Sequence, residues 1–106
     1  MSEPVLCIFP EMSELIAFDY SSALPLGEGV EVDAAELEAH EWSNNRAGDD
    51  LTSSFLVSGV GTIVGNQVRF QFQNPPEGKL IRVKTKTEFS DGQIRVNRIF
   101  FEVKAA

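Results

Sequence analysis

The chain holds one histidine, His40, in the run Glu38-Ala39-His40-Glu41. An imidazole titrates near neutrality and ligates metals, so chemistry is sought here first. In a helix Glu36 and His40 are i, i+4 neighbours; in a strand Glu38 and His40 share a face. Either arrangement sets a carboxylate beside an imidazole, the start of a divalent-cation site, but no second histidine completes it. Asp49-Asp50 lacks the alternating acidic ligands and closing glutamate of a calcium loop. The acids are numerous enough to supply a glycosidase's carboxylate pair, yet nothing frames two of them. Ser21-Ser22 and Ser53-Ser54 lack a nucleophile elbow, and any triad would have to recruit His40. No helical pattern follows Gly59-Val60-Gly61 and Gly65, so these glycines mark turns between strands and not a phosphate cradle. Cys7, in Val5-Leu6-Cys7-Ile8-Phe9, has no basic neighbour in sequence and is expected to be a small buried hydrophobe. We expect no catalytic residue, no metal, no cofactor and no enzyme.

What remains is a scaffold. A length of 106 residues with 42% hydrophobic content supports one core. A single cysteine excludes an internal disulfide. The N-terminus has neither a basic region nor an apolar run long enough for export or membrane spanning, so synthesis and folding in a reducing cytoplasm are expected. Net charge is -7 and unevenly spread: residues 1–53 carry one Arg against twelve acids, residues 54–106 eight Lys and Arg against four. Two such halves can neutralise each other in the fold, attract copies of the chain, or steer it to a charged partner. Overall acidity argues against nucleic acid, whose phosphates select clustered positive charge.

The elements are short strands. Residues 78–104 predict one long hairpin: alternation runs from Ile81 to Phe89, turns at Ser90-Asp91-Gly92, and resumes at Gln93-Ile94-Arg95-Val96. Ile94 and Val96 differ in parity from Ile99, Phe101 and Val103. One extra residue near Asn97-Arg98 would restore a single apolar face, so a β-bulge is expected there. Without it, Ile99, Phe101 and Val103 would lie on the opposite face, which would then need covering by a partner. Val68, Phe70 and Phe72 alternate with Arg69, Gln71 and Gln73 after a Gly65-Asn66 turn. Ile16, Phe18 and Tyr20 share a face opposite Leu15, Ala17 and Asp19. Phe55 and Val57 open a further strand, and residues 21–29 and 43–50 read as loops. Asp33 followed by Glu36 resembles a capping box, so residues 33–42 could form helical turns or an acidic strand ending at Trp42. Seven or eight strands with frequent turns predict an antiparallel sandwich, with room for one short helical turn.

Val57-Ser58-Gly59, Thr62-Ile63-Val64-Gly65, Ile81-Arg82-Val83, Thr87-Glu88-Phe89-Ser90-Asp91-Gly92 and Phe101-Glu102-Val103 together give the chain a familiar look. Upstream, Phe9-Pro10, Phe18-Asp19 and Leu26-Gly27-Glu28 fit the same pattern. It resembles the small immunoglobulin-like structural proteins of tailed bacteriophages, which serve as fibre–tail adaptors, neck components or capsid decorations. It departs from them at Ile81, where an aromatic is usual, at Phe89, where a Thr is usual, and at Asn74-Pro75-Pro76 in place of a Gly-Gly turn. The resemblance implies a strand for residues 35–42, an immunoglobulin-like sandwich, and a multi-copy symmetric role in the virion without activity. The expected partners are other virion proteins (tail, fibre, portal or capsid subunits), with neither nucleic acid nor membrane.

The expected layout is an arm or edge strand over residues 1–10 and the sandwich over residues 11–106. Candidate contacts are Val5, Leu6, Ile8 and Phe9 on the arm, which could pair with another subunit. Arg82, Lys84, Lys86 and Arg95 form an expected basic stripe outside the hairpin. Trp42 is either a core cap or an interface anchor. A carbohydrate-binding module is the competing expectation; it calls for a row of exposed aromatics, whereas most aromatics here occupy inward strand positions.

Overall fold

The computed structural model describes residues 5–20 and 30–104. Their elements, in chain order, are β1 (Val5–Ile8), β2 (Leu15–Asp19), β3 (Val32–Ser43), β4 (Arg46–Asp50), α1 (Thr52–Phe55), β5 (Thr62–Val64), β6 (Gln67–Gln71), β7 (Leu80–Phe89) and β8 (Ile94–Val103). They form a five-stranded sheet in the order β1-β8-β7-β3-β4 and a three-stranded sheet in the order β2-β6-β5. The order β8-β7-β3-β4 against β2-β6-β5 matches strands G, F, C and C′ against B, E and D, the immunoglobulin arrangement of variable type. The expected sandwich is therefore present. One pair departs from its antiparallel rule: β1 runs parallel to β8, with Val5 opposite Phe100 and Ile8 opposite Val103.

The β7–β8 hairpin is the spine, and it carries no bulge. Its register runs unbroken from Leu80 opposite Glu102 to Glu88 opposite Ile94. The turn sets this register. Gly92 takes a φ of 90°, and the Phe89 N–H bonds to the Gln93 carbonyl (2.9 Å), closing the three-residue loop in the way a left-handed last residue permits. Counting outward, odd residues of one strand oppose odd residues of the other. Ile81, Val83, Phe89, Ile99, Phe101 and Val103 are accordingly buried, while Ile94 and Val96 are 52% and 42% exposed on the other side. The parity change that suggested a bulge is instead a change in which face carries the apolar residues.

One open alternative is decided for the strand, and two further expectations give way. Residues 33–42 lie within a continuous strand, β3, because its partner β7 offers backbone pairing over nine registered positions from Val32 to Glu41; the isolated capping signal loses to the sheet. Residues 43–50 are a hairpin, not a loop: Asn44 and Asn45 sit at φ 52° and 59°, the left-handed values a two-residue hairpin turn needs and asparagine tolerates. Phe55 belongs to α1, not to a strand. The Asp50 carboxylate accepts the Thr52 N–H (2.9 Å), and Thr52 Oγ1 accepts the Ala39 N–H (3.0 Å). Those bonds curl the chain so that Phe55 and Leu56 drop into the core. The Thr52 bonds also hold the Asp50 carboxyl below its ordinary pKa. The loop expected over residues 21–29 lies outside the described residues.

Between the sheets lies an aromatic cluster. Phe101 packs against Phe55 (5.4 Å between centroids), Phe72 (5.3 Å) and Phe70 (6.3 Å). Gly61 is needed where the sheets cross, since a methyl group there would lie 2.6 Å from Val68 Cγ1.

The inner face of β7 is less apolar toward the turn. Thr85 and Thr87 are both fully buried. Thr87 is satisfied: the Tyr20 hydroxyl donates to Asn97 Oδ1 (2.6 Å), leaving the Thr87 hydroxyl to donate to the phenol oxygen (3.0 Å). Thr85 Oγ1 has no partner. A buried hydroxyl without one costs roughly 1–3 kcal/mol, so Thr85→Val is expected to raise the unfolding free energy by about 1 kcal/mol, read as a higher urea midpoint at unchanged slope.

Burial raises the Tyr20 pKa above its ordinary 10.0, against the opposing pull of the Thr87 bond and the Arg95 charge. A raised folded value means the native state holds this proton more tightly than the unfolded chain. The stability it contributes is whole below pH 10 and is lost as pH rises through the folded pKa. Tyr20→Phe should remove that component of the alkaline decline in melting temperature, and tyrosinate absorbance of the single tyrosine should appear later in folded than in unfolded protein.

Candidate functional site

The three-stranded sheet covers one face of the five-stranded sheet; among the described residues nothing covers the other. Cross-strand register determines what that open face shows. Glu36 opposes Lys86, Glu38 opposes Lys84 and His40 opposes Arg82 between β3 and β7. On β8, Val96 opposes Lys86, Arg98 opposes Lys84 and Phe100 opposes Arg82. The acidic half of the chain thus meets the basic half as a pair of adjacent rows. Lys84 Nζ lies 3.2 Å from Glu38 Oε1, and at the sheet's end Lys79 Nζ lies 3.0 Å from Glu41 Oε1. Pairs this exposed contribute about 0–1 kcal/mol each.

At the β1 end the face becomes aromatic. The Arg82 guanidinium carbon stands 4.1 Å from the centre of the Trp42 ring, and Phe100 meets the same indole edge-on at 5.8 Å. Trp42 is half-buried, so it is neither a core residue nor a loose one. Arg82 Nε is buried there with no hydrogen-bond acceptor; stacking on the indole is the interaction that holds it. Val5, opposite Phe100, is 54% exposed beside this cluster.

The expected contact residues divide. Arg82, Lys84 and Lys86 form a row on the open face, but Arg95 does not join it. Arg95 opposes the buried Thr87, so its side chain leaves from the inner face toward Tyr20; the missing bulge is the reason, and Arg98 takes its place in the row. On the arm, Val5, Leu6 and Phe9 are exposed, whereas Ile8 is 2% exposed and belongs to this chain's own core. The arm pairs with its own β8, and its residues 1–4 lie outside the described residues. Cys7 is exposed, not buried: in β1 it shares the outward parity of Val5, and its Sγ lies 3.9 Å from Glu102 Oε2. Lys104, bonded to that glutamate (2.9 Å), is held protonated above its ordinary pKa by Glu102 and by the Cys7 side chain.

No family model and no curated protein matches this chain. His40 lies on the open face between Asp50 and Arg82, and among the described residues no three His, Cys, Asp or Glu side chains gather. Phe100, Ile94, Val96, Val60 and Arg98 were missed from sequence. The three-residue turn was the signal that could have found the four on the hairpin, since it fixes parity along its length; Val60 lies outside it and faces outward only through its bridge to Glu36.

Proposed function

We propose that this chain is a non-enzymatic virion structural protein of a tailed bacteriophage, a tail–fibre or head–tail adaptor that acts by docking in a multi-copy assembly. The observation that carries the docking part is the open five-stranded face with Trp42 pinned between Arg82 and Phe100. A tryptophan already immobilised by its neighbours loses little side-chain entropy on binding, and Trp and Arg are the residue types that dominate interface energetics. Exposed Val5, opposite Phe100, widens the apolar area beside it, and exposed Val96 and Ile94 continue the open face along β8 toward the turn. The bacteriophage setting is supported by the resemblance of the turn and strand motifs.

A capsid decoration role uses the same face. The carbohydrate alternative has less support: a sugar needs an open ring face, and the Arg82 guanidinium occupies one side of the indole. The test is direct. The chain should be found at fixed stoichiometry in purified particles by quantitative mass spectrometry, and purified chain should bind a tail, fibre, portal or capsid subunit in native mass spectrometry. Absence from particles, or glycan-array binding that depends on Trp42, would end this reading.

A further inference from the structure

We infer that the seam between β3 and β7 is the two-fold contact of a homodimer, in which the acidic row of each copy lies over the basic row of the other. This deepens the reading of the open face as a docking surface and does not depend on the bacteriophage setting.

One transverse rung of the open face shows the pattern. Val60 forms a bridge with Glu36; the Leu37 N–H bonds to the Gly59 carbonyl and the Gly61 N–H to the Ala35 carbonyl (2.9 and 3.0 Å). That is the pattern of a non-hydrogen-bonded antiparallel pair, so the Val60 and Glu36 side chains share the open face. Glu36 in turn opposes Lys86, and Lys86 opposes Val96. The rung therefore reads apolar, acid, base, apolar. Both ends are bare: Val60 is 64% exposed and Val96 is 42% exposed.

A second copy turned about a two-fold axis along the seam lays β3 over β7 and β7 over β3. The rung is then met by its own reverse. Val60 faces the second copy's Val96, Glu36 faces its Lys86, and the neighbouring rung sets Glu38 over its Lys84. On these two rungs each charge meets its opposite, and the contact is isologous as a closed dimer requires. A foreign surface of uniform sign would match one row and repel the other; the pattern selects itself. Face-to-face sheets align within about 30° and lie ~10 Å apart, a gap that Glu and Lys side chains reaching from both sides can span. Because both sheets twist, close contact is confined to a few neighbouring rungs.

The test is charge exchange on the full chain, followed by sedimentation equilibrium at about 0.15 M salt, where charges separated by more than ~8 Å are screened. The wild-type chain should be a dimer. E36K/E38K makes both rows basic and K84E/K86E makes both acidic, so each alone should be monomeric. Mixed in equal amounts, the two should form a heterodimer, because every basic row then faces an acidic one. A monomeric wild type, variants that dimerise like it, or a mixture that stays monomeric would each overturn the proposal. Should a reversed variant lose its cooperative melt, the neutral pair E36Q/K86Q serves instead, with at least a ten-fold weaker dimer expected and an unchanged one overturning the proposal. Binding to virion subunits is measured separately, so failure of the dimer and failure of the docking reading are distinguishable.

Discussion

Phe101→Ala is expected to remove about 3–5 kcal/mol of folding stability and, against a total of roughly 5–15 kcal/mol for a domain of this size, to leave a chain at the edge of folding. Phe101 is fully buried, and its ring contacts three others, Phe55, Phe70 and Phe72. These come from the helical turn, from the three-stranded sheet and from the residue after it, whereas Phe101 comes from the five-stranded sheet. Truncation thus opens a cavity at the one place where both layers and α1 meet. Relaxation cannot fill it easily, because Phe55 and Phe72 are already stacked on each other at 5.5 Å. Urea denaturation checks the value, and Phe101→Leu, which keeps most of the volume, should lose distinctly less. A loss under about 1 kcal/mol for the alanine variant would mean that the aromatic cluster is not the keystone between the layers.

Trp42→Ala is expected to weaken association through the open face by about 2 kcal/mol or more, roughly thirty-fold in affinity. The same change should reduce folding stability by only about 1–2 kcal/mol, the sum expected for an edge-to-face aromatic pair and a partly exposed cation–π contact. The two readouts separate an anchor from a structural cap. Were Trp42 part of the core, stability would fall by more than binding. Trp42→Phe keeps a ring against Arg82 and Phe100 and should recover part of the affinity. Arg82→Lys should recover little, since an ammonium cannot stack on the indole as a planar guanidinium does. Equal binding by wild type and Trp42→Ala would remove the aromatic end of the face from the docking surface.

These two residues illustrate different parities of one rule. Alternation along each strand made the inward set of β6 and the first half of β7 legible, because period two assigns faces within a single strand without reference to any other. It also assigned Ile16, Phe18 and Tyr20 correctly to one side of β2. It could not say what lies across from Trp42, because opposition between strands depends on register. On β8, where bulky residues stand on both faces, alternation alone misled: a bulge was invoked to gather them onto one face. The short polar strand β4 was read as a loop because its five residues are all exposed. No apolar face betrays a strand that packs on nothing and is held by its partner's backbone.

An all-β sandwich with a Phe-rich interior and a long terminal hairpin is legible in the residues alone, because alternation and turn residues act locally. That β1 joins β8 in parallel, that Phe55 arrives on a helical turn, and that Glu36, Lys86, Val60 and Val96 share one rung are properties of the assembled fold. Each of those depends on which backbone N–H meets which carbonyl across tens of residues of chain. One register position more or less would turn every side chain of a strand to the opposite face.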